Sequence, residues 1–226
     1  MTCGYFITGT DTDIGKTLAT RALMAAIKNR GKRVTGMKPV ACGCEETAAG
    51  LRNEDALLLM QQNTQAHDYA LINPYAFVPP VAPHIAAAES GAVIDLDKIV
   101  SAYKLLAGQT DYLFVEGIGG WCVPLDEEFM LADLVKKLNL PVIMVVGLKL
   151  GCINHTLLTV RSIVDDGIVL SGWIANRLDP DYLNIKQTLT CLEKKVPAPL
   201  VGYIEYQDPV VIKEVLKGLN TALLEQ

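Results

Sequence analysis

The feature that most constrains the fold of this chain is a glycine-containing loop, GTDTDIGKT, over residues 9–17. It follows the apolar run Tyr5-Phe6-Ile7 and precedes a segment rich in Ala and Leu. A strand, such a turn and a helix that begins at Gly-Lys-Thr form a phosphate cradle, because backbone N–H groups and the positive helix end face the anion. In this arrangement Lys16 would reach the terminal phosphates, and Thr17 would place its hydroxyl on Mg²⁺.

The spacing within this loop departs from the usual pattern by one residue. Phosphate loops usually have four residues between their glycines, whereas five residues separate Gly9 from Gly15. Thr10 takes the position at which the stricter pattern would have glycine. The loop is therefore a variant phosphate loop, and fewer protein families have this variant spacing than the usual one.

Apolar runs alternate with helical patterns along the chain. We predict strands over residues 5–8, 34–38, 112–115, 142–146, 169–175 and 200–203, and helices over 17–30, 53–62, 95–107, 130–138, 154–165, 182–194 and 210–224. Nearly continuous apolar runs suit strands that are buried on both faces of a parallel sheet. We therefore expect one α/β domain over residues 1–226, with a doubly wound, mainly parallel sheet flanked by helices and a ligand at the carboxyl ends of its strands.

Residues 73–88 interrupt this regularity with four prolines, at positions 74, 79, 80 and 83. We predict an ordered excursion over the surface, and a simple long connection is the alternative.

Charge, hydropathy and cysteine usage argue against several classes of protein. The net charge of −5 does not suit a nucleic-acid binder with a broad basic face. No apolar run reaches the roughly 18 residues that span a bilayer, and the start of the chain lacks a signal-peptide pattern. We expect a cytoplasmic protein with no nucleic-acid or membrane partner. The six cysteines and three histidines give no zinc spacing, so free thiols are expected.

Polar side chains end two of the predicted strands, at the edge where the phosphate loop would lie. Glu116 follows the apolar run at residues 112–115, and with Thr17 it would offer oxygen ligands to Mg²⁺. Asp55 is a second candidate acid, although the residues alone also allow it to be only a helix-start residue. Lys38 could neutralise charge on a transferring phosphoryl group, or it could be a lysine whose stem packs along the strand end.

Three further turns follow predicted strands. Three glycines lie within residues 117–120 and would let the backbone approach a ligand, and Trp121 beside them could line a substrate or anchor the surface. Gly151 precedes a predicted helix and gives a second candidate anion site. Asn176 offers a donor and an acceptor, as an adenine edge requires.

Six motifs, taken together and in order, resemble the dethiobiotin synthetase family, whose phosphate loop has this same five-residue spacing. They are GTDTDIGKT at 9–17, KPVA at 38–41, GLRNED at 50–55, VEGIGGW at 115–121, GCINH at 151–155 and GWIAN at 172–176. The resemblance covers nearly the whole chain and implies a P-loop NTPase-like fold. It implies an ATP-dependent ligase that makes the ureido ring of dethiobiotin from 7,8-diaminononanoate and CO₂ or bicarbonate, through a carbamate and a carbamic–phosphoric anhydride.

The resemblance also implies roles for individual residues. Lys38 and Lys16 would be catalytic, and Thr17, Asp55 and Glu116 would bind Mg²⁺. The nucleotide would contact Asp13, Ile14, Gly15, Lys16, Thr17, Leu18, Asp55, Glu116, Gly117, Ile118, Gly119, Asn176, Arg177, Glu205, Tyr206 and Gln207. The substrate would contact Thr12, Lys38, Cys42, Gly151, Cys152 and Asn154, and in the family's homodimer the turn at 151–154 reaches the partner's substrate.

Two positions depart from the family's pattern. Cys42 stands where many relatives have Ser at a position that contacts substrate, and a thiol donates a weaker hydrogen bond. Glu205 stands where relatives commonly have proline, and a carboxylate near the base or ribose would affect nucleotide preference.

Two other classes fit the sequence less well. A partitioning or assembly ATPase of the same loop class typically has a further lysine before its Gly-Lys-Thr, whereas residues 8–15 contain none. A cobyrinate-type amidotransferase needs a glutaminase domain with a nucleophilic Cys, for which 226 residues leave no room.

Overall fold

Ten strands lie within residues 2–224, the part of the chain that the computed structural model describes. They are β1 (Cys3–Gly9), β2 (Val34–Met37), β3 (Val40–Ala41), β4 (Glu45–Thr47), β5 (Gly50–Arg52), β6 (Tyr75–Ala76), β7 (Tyr112–Glu116), β8 (Val142–Leu148), β9 (Leu170–Arg177) and β10 (Leu200–Ile204). Six of them form a central sheet in the order β10-β9-β8-β1-β7-β2, and every neighbouring pair is parallel. Strands β3 and β6 form a short parallel pair, and β4 and β5 form an antiparallel hairpin.

Helices connect and cover these strands. They are α1 (Lys16–Asn29), α2 (Glu54–Gln62), α3 (Tyr69–Ile72), α4 (Pro83–Ser90), α5 (Leu96–Ala107), α6 (Leu131–Leu138), α7 (Cys152–Asp165), α8 (Ile185–Lys195) and α9 (Ile212–Val215), with 3₁₀ turns at Leu216–Gly218 and Thr221–Leu224. The predicted doubly wound parallel sheet flanked by helices is confirmed.

The central sheet is buried on both faces, which explains why its strands are nearly continuous apolar runs. Successive side chains point to opposite faces, so Phe6 and Val115 pack in one core cluster while Ile7 and Phe114 pack in the other. Helices α4 to α8 contribute to the first cluster, and α1 and α9 contribute to the second.

All six strands of the central sheet end at the same edge. Ile7 pairs with Glu116 and Met37 pairs with Val115. The loop after β1, the Lys38 that follows β2 and the acid that ends β7 therefore lie side by side at the carboxyl edge.

The predicted helix over residues 210–224 is wrong. Only α9 is helical there, and two 3₁₀ turns follow it. Leu219 forms an antiparallel bridge with Gly202, and the Asn220 N–H donates to the Val201 carbonyl at 2.7 Å. A Cβ on Gly218 would overlap the Tyr203 carbonyl. The segment therefore packs along β10 as short helical turns and not as one continuous helix, and its close approach to β10 at residue 218 requires glycine.

Residues 73–88 are more regular than predicted, since they contain β6 and the start of α4. Pro83 occupies the first turn of α4, where its missing N–H leaves no hydrogen bond unmade. Helix α8 begins at Ile185 rather than at residue 182, because Asn184 adopts a left-handed conformation with φ 57°.

Among the described residues, no helix is both long and apolar enough to cross a membrane. The cysteines in that part of the chain are free thiols.

Candidate active site

The loop after β1 leaves the start of α1 open. Gly15 is the N-cap residue in a left-handed conformation with φ 84°, and no side chain within residues 2–224 caps the helix. The loop is held from behind, because the Thr10 N–H donates to the Val145 carbonyl at 3.1 Å and the Lys16 amine donates to the Asp11 carbonyl at 2.9 Å. The first N–H groups of α1 can therefore bind an anion.

A buried cluster of charges lies beside this loop. The Lys38 amine is 2.6 Å from Glu116 Oε1 and 2.9 Å from Asp55 Oδ2. The Thr17 hydroxyl is 2.7 Å from Asp55 Oδ1 and 2.8 Å from Glu116 Oε1. Helix α1, the end of β2, the start of α2 and the end of β7 thus each bring one polar side chain to the same point.

The environment shifts the pKa values of three groups in this region. Burial lowers the pKa of Lys16 to about 8, and the nearby Lys38 charge adds to the effect. Burial would also lower the pKa of Lys38, but the Glu116 and Asp55 carboxylates hold it above its ordinary value. Burial would raise the pKa of Asp55, but Lys38 and the Thr17 hydroxyl hold it low. Lys38 and Asp55 therefore stay charged as a pair, while Lys16 titrates far more easily.

The residues present fit a hard divalent cation. Glu116 Oε2 is buried and has no hydrogen-bond partner in residues 2–224, so it is an acceptor that a cation would satisfy. The described residues contain no group of three His, Cys, Asp or Glu side chains placed to hold a metal. A cation here would rest on the two carboxylates and the Thr17 hydroxyl and take its other ligands from water and phosphate, as Mg²⁺ does.

A cavity of about 870 Å³ opens in front of the cluster. Its size is in the range of small-ligand sites. It is lined by predicted site residues and by neighbours: Thr12, Asp13, Gly15, Lys16, Thr17, Lys38, Ala41, Cys42, Asn53, Asp55, Pro80, Val81, Ala82, Pro83, Ile118, Gly119, Gly120 and Val123. Burial raises the pKa of the Cys42 thiol to about 11, so Cys42 meets the cavity as a neutral group.

Some predicted residues lie beside the cavity without lining it. Ile14 is fully buried under the loop, where it packs near Gly9 and Gly147. Gly117 offers its carbonyl to the Lys38 amine at 3.2 Å, and Leu18 is partly buried in the core cluster that contains α1.

The turn before α7 lies outside this cavity. Gly151 adopts a left-handed conformation with φ 92°, and no side chain of the described residues caps the helix. The Cys152 thiol is turned inward, 3.7 Å from the Tyr182 hydroxyl, whereas Asn154 is exposed. Lys149, just before the turn, pairs with Asp11 of the phosphate loop at 2.8 Å. Within one chain, therefore, this turn does not line the cavity, and the residue just before it contacts the phosphate loop.

The residues predicted to meet the nucleotide base follow β9 and β10. The Asn176 amide is buried and donates to the Ile14 carbonyl at 2.9 Å, so it also holds the phosphate loop. Arg177 pairs with Glu205. Tyr206 is exposed, and the Gln207 side chain accepts from the Val211 N–H at 3.0 Å.

The sequence alone left the role of Trp121 undecided, and it did not reveal that residues 80–83 line the cavity. The Trp121 ring is buried and its N–H donates to Asp166 at 2.8 Å, so it anchors the structure. Residues 80–83 line the cavity, although their prolines suggested only a surface excursion. No periodic pattern could have revealed this contact, since it joins segments that are distant in sequence.

The fold and the loop define a P-loop NTPase. Residues 3–213 match the family described as an AAA domain. The chain is 48% identical to ATP-dependent dethiobiotin synthetase BioD 1 of Escherichia coli O157:H7, over 88% of each chain. It is 47% identical to the BioD enzyme of Xanthomonas axonopodis pv. citri, over 90% of this chain and 91% of that one. The chain belongs to the dethiobiotin synthetase family.

A solved structure supports the fold alone. The MinC:MinD cell division protein complex of Aquifex aeolicus aligns with a TM-score of 0.58 at 19% identity, over 97% of this chain and 88% of that one.

We expect Gly15→Ala to weaken ADP binding more than tenfold, as judged by isothermal titration calorimetry. The φ of 84° strains any L-residue, and a Cβ at this position would overlap the Asn176 amide that holds the loop. Gly31→Ala is the matched control, because Gly31 has a similar φ of 72° but nothing within 4 Å of its Cβ position. Wild-type affinity in Gly15→Ala would contradict the account of the loop.

Proposed function

We propose that this chain is an ATP-dependent dethiobiotin synthetase, a cyclo-ligase of biotin biosynthesis that closes the ureido ring of dethiobiotin. Its substrates would be 7,8-diaminononanoate, CO₂ or bicarbonate, and ATP. The observation that carries the proposal is the placement of the Lys38 amine, which lies against two carboxylates at the wall of a cavity that the phosphate loop also lines. A switch ATPase of this loop class typically has a further lysine before its Gly-Lys-Thr, and residues 8–15 contain none.

The proposed reaction has three steps. One amine of the substrate takes up CO₂ as a carbamate, and a carbamate oxygen attacks the γ-phosphorus of ATP, releasing ADP. The second amine then attacks the carbamate carbon, and phosphate leaves as the five-membered ring closes. Because both amines belong to one bound molecule, the last step is effectively unimolecular.

The protein's part is to position the reactants and to neutralise charge. Lys16 and Lys38 both line the cavity, and we assign them to the transferring phosphoryl group and to the carbamate. Fixed cations aimed at developing charge in a site that excludes water are a large source of rate enhancement. The low pKa of Lys16 fits this role, since a phosphate would restore the charge that burial disfavours.

We assign the metal site to Thr17, Asp55 and Glu116. Mg²⁺ would be held by these oxygens and would neutralise charge on the β- and γ-phosphates. The unpartnered Oε2 of Glu116 supports the assignment.

The nucleotide would lie along the loop and the ends of the neighbouring strands. We assign its phosphates to residues 13–18 and the lining of its site to residues 116–119. Its base and ribose would lie on the side of Asn176, Arg177 and residues 205–207. The pairing of Glu205 with Arg177 supports this arrangement, because it neutralises a carboxylate that would otherwise stand bare near the base.

We assign the diamine to Thr12, Lys38 and Cys42, which line the cavity. Gly151, Cys152 and Asn154 would reach the substrate of a partner subunit in a homodimer. The apolar side chains of Leu150 and Leu158 support such an interface, since they are 94% and 60% exposed beside this turn. We further propose that the chain works as one domain and in the cytoplasm, where ATP is supplied.

The first test is phosphate release from ATP in the presence of Mg²⁺, with the diamine and bicarbonate omitted in turn. We expect release to require both, because the γ-phosphoryl group has no acceptor until the carbamate forms. Release that continues at full rate without the diamine would instead indicate a switch ATPase.

The second test is Lys38→Met, which we expect to lower kcat for dethiobiotin formation by about a hundredfold or more. ADP binding should persist, because Lys16 and the loop are untouched. The free energy of unfolding should fall by about 3–5 kcal/mol, since Glu116 loses its buried partner. Lys136→Met, which removes an exposed lysine paired with Asp166, is the control for losing a lysine. Wild-type turnover in Lys38→Met would refute the role given to this residue.

A further inference from the structure

A chain of three hydrogen bonds joins the backbone of Lys38 to the start of α2. The Asn73 amide donates to the Lys38 carbonyl at 2.7 Å. The Tyr69 hydroxyl donates to Asn73 Oδ1 at 2.9 Å and accepts the Asn53 N–H at 2.8 Å. These contacts lie behind the cavity wall, on side chains to which neither the motifs nor the family resemblance gave a role.

One end of this chain fixes the backbone around Lys38. The Lys38 N–H donates to the Ile72 carbonyl at 2.8 Å, while its carbonyl accepts from Asn73. The next residue is held as well, because the Tyr75 N–H donates to the Pro39 carbonyl at 3.1 Å. Asn73 is buried, so its amide has no competition from water for these bonds.

The other end fixes the start of α2. Asn53 is the N-cap residue of this helix, and its side-chain oxygen accepts the Ala56 N–H at 3.2 Å. Tyr69 holds the backbone of the same residue, and its ring lies 4.1 Å beneath the Arg52 guanidinium. Asp55 is in the first turn of α2, two residues after Asn53, whose backbone N–H donates to the Tyr69 hydroxyl.

The connection closes into a ring. It runs from the Lys38 backbone through Asn73, Tyr69 and Asn53 to Asp55, and the Asp55 carboxylate returns to the Lys38 amine at 2.9 Å. Two groups on separate segments are thus joined by a partly buried network of hydrogen bonds that runs through Asn73 and Tyr69.

We infer that Tyr69 and Asn73 are positioning residues that set the distance between the Lys38 amine and the Asp55 carboxylate. The inference rests on the proposed function for its catalytic consequence, but not for its effect on the geometry. Neither side chain lines the cavity, so both act through Lys38 and Asp55.

The chain supplies a closely matched control in Tyr75. Its hydroxyl also accepts the N–H of a helix N-cap residue, Asp95 of α5, at 2.8 Å. Its ring also lies under a cation, the Lys98 amine, at 4.4 Å. Tyr69→Phe and Tyr75→Phe therefore remove the same atom from similar surroundings, but only the first breaks the connection between Lys38 and Asp55.

The experiment compares these two variants with wild type. We expect Tyr69→Phe to lower kcat about tenfold with little change in the KM for the diamine, because a small misplacement of reacting groups is costly to rate. We also expect it to weaken Mn²⁺ binding to the ADP complex several-fold, measured by electron paramagnetic resonance. Tyr75→Phe should change neither quantity, although both variants should lower Tm by similar amounts. Equal effects of the two variants on kcat and on Mn²⁺ affinity would overturn the inference.

A double-mutant cycle separates positioning from general damage. In an Asp55→Ala background, Tyr69→Phe should have no further effect on Mn²⁺ affinity, because the group that it positions is no longer a ligand. Full additivity would overturn the inference. Asn73→Ser provides a second break in the same connection if Tyr69→Phe does not fold. Failure of the proposed function would appear separately, as a wild-type protein that binds Mn²⁺ with ADP but makes no dethiobiotin.

Discussion

The buried ion pair between Lys38 and Glu116 is the interaction on which the rest of the site depends. Glu116 ends an apolar strand and is fully buried, so its carboxylate needs a cation within reach. Removing one partner of such a pair typically costs about 3–5 kcal/mol, which is a large share of the stability of a domain. The pair therefore joins the end of β7 to the residue after β2, and Asp55 and Thr17 bring α2 and α1 to the same point. The central sheet, helices α1 and α2 and the phosphate loop therefore meet at one cluster of charged side chains.

This cluster of charges also explains why the pKa values of two lysines at one cavity shift in opposite directions. Lys38 is stabilised in its charged form by two carboxylates, whereas Lys16 is buried beside a like charge and has a pKa of about 8. Lys38 is thus positively charged whether or not a ligand is bound. Lys16 gains most from a phosphate, which gives the loop a preference for an anion at the start of α1.

Much of this arrangement could be predicted from the sequence. Apolar runs located the strands of the central sheet, and the rule that parallel strands end at one edge placed Lys38 and Glu116 near the loop. The residues alone did not decide whether Asp55 is a metal ligand or only a helix-start residue, because an acid in the first turn of a helix is common in any protein. The positioning network escaped prediction, since Tyr69 lies in a four-residue helix that has no periodicity. The C-terminal helix was predicted wrongly because the contact of Gly218 with Tyr203 is tertiary. The individual roles of the site residues stay predictions.

The central claim, that a carbamate held beside Lys38 attacks ATP, is tested most directly by following an oxygen atom from CO₂ into the released phosphate. If a carbamate held beside Lys38 attacks ATP, one oxygen of the released phosphate comes from CO₂ and not from water. With C¹⁸O₂ as the carbon source and turnover fast relative to exchange with water, mass spectrometry of the phosphate should find one ¹⁸O per molecule of dethiobiotin formed. Unlabelled phosphate formed together with dethiobiotin would contradict the account, because it would mean that the γ-phosphoryl group passes to water and that ring closure proceeds without a phosphorylated carbamate.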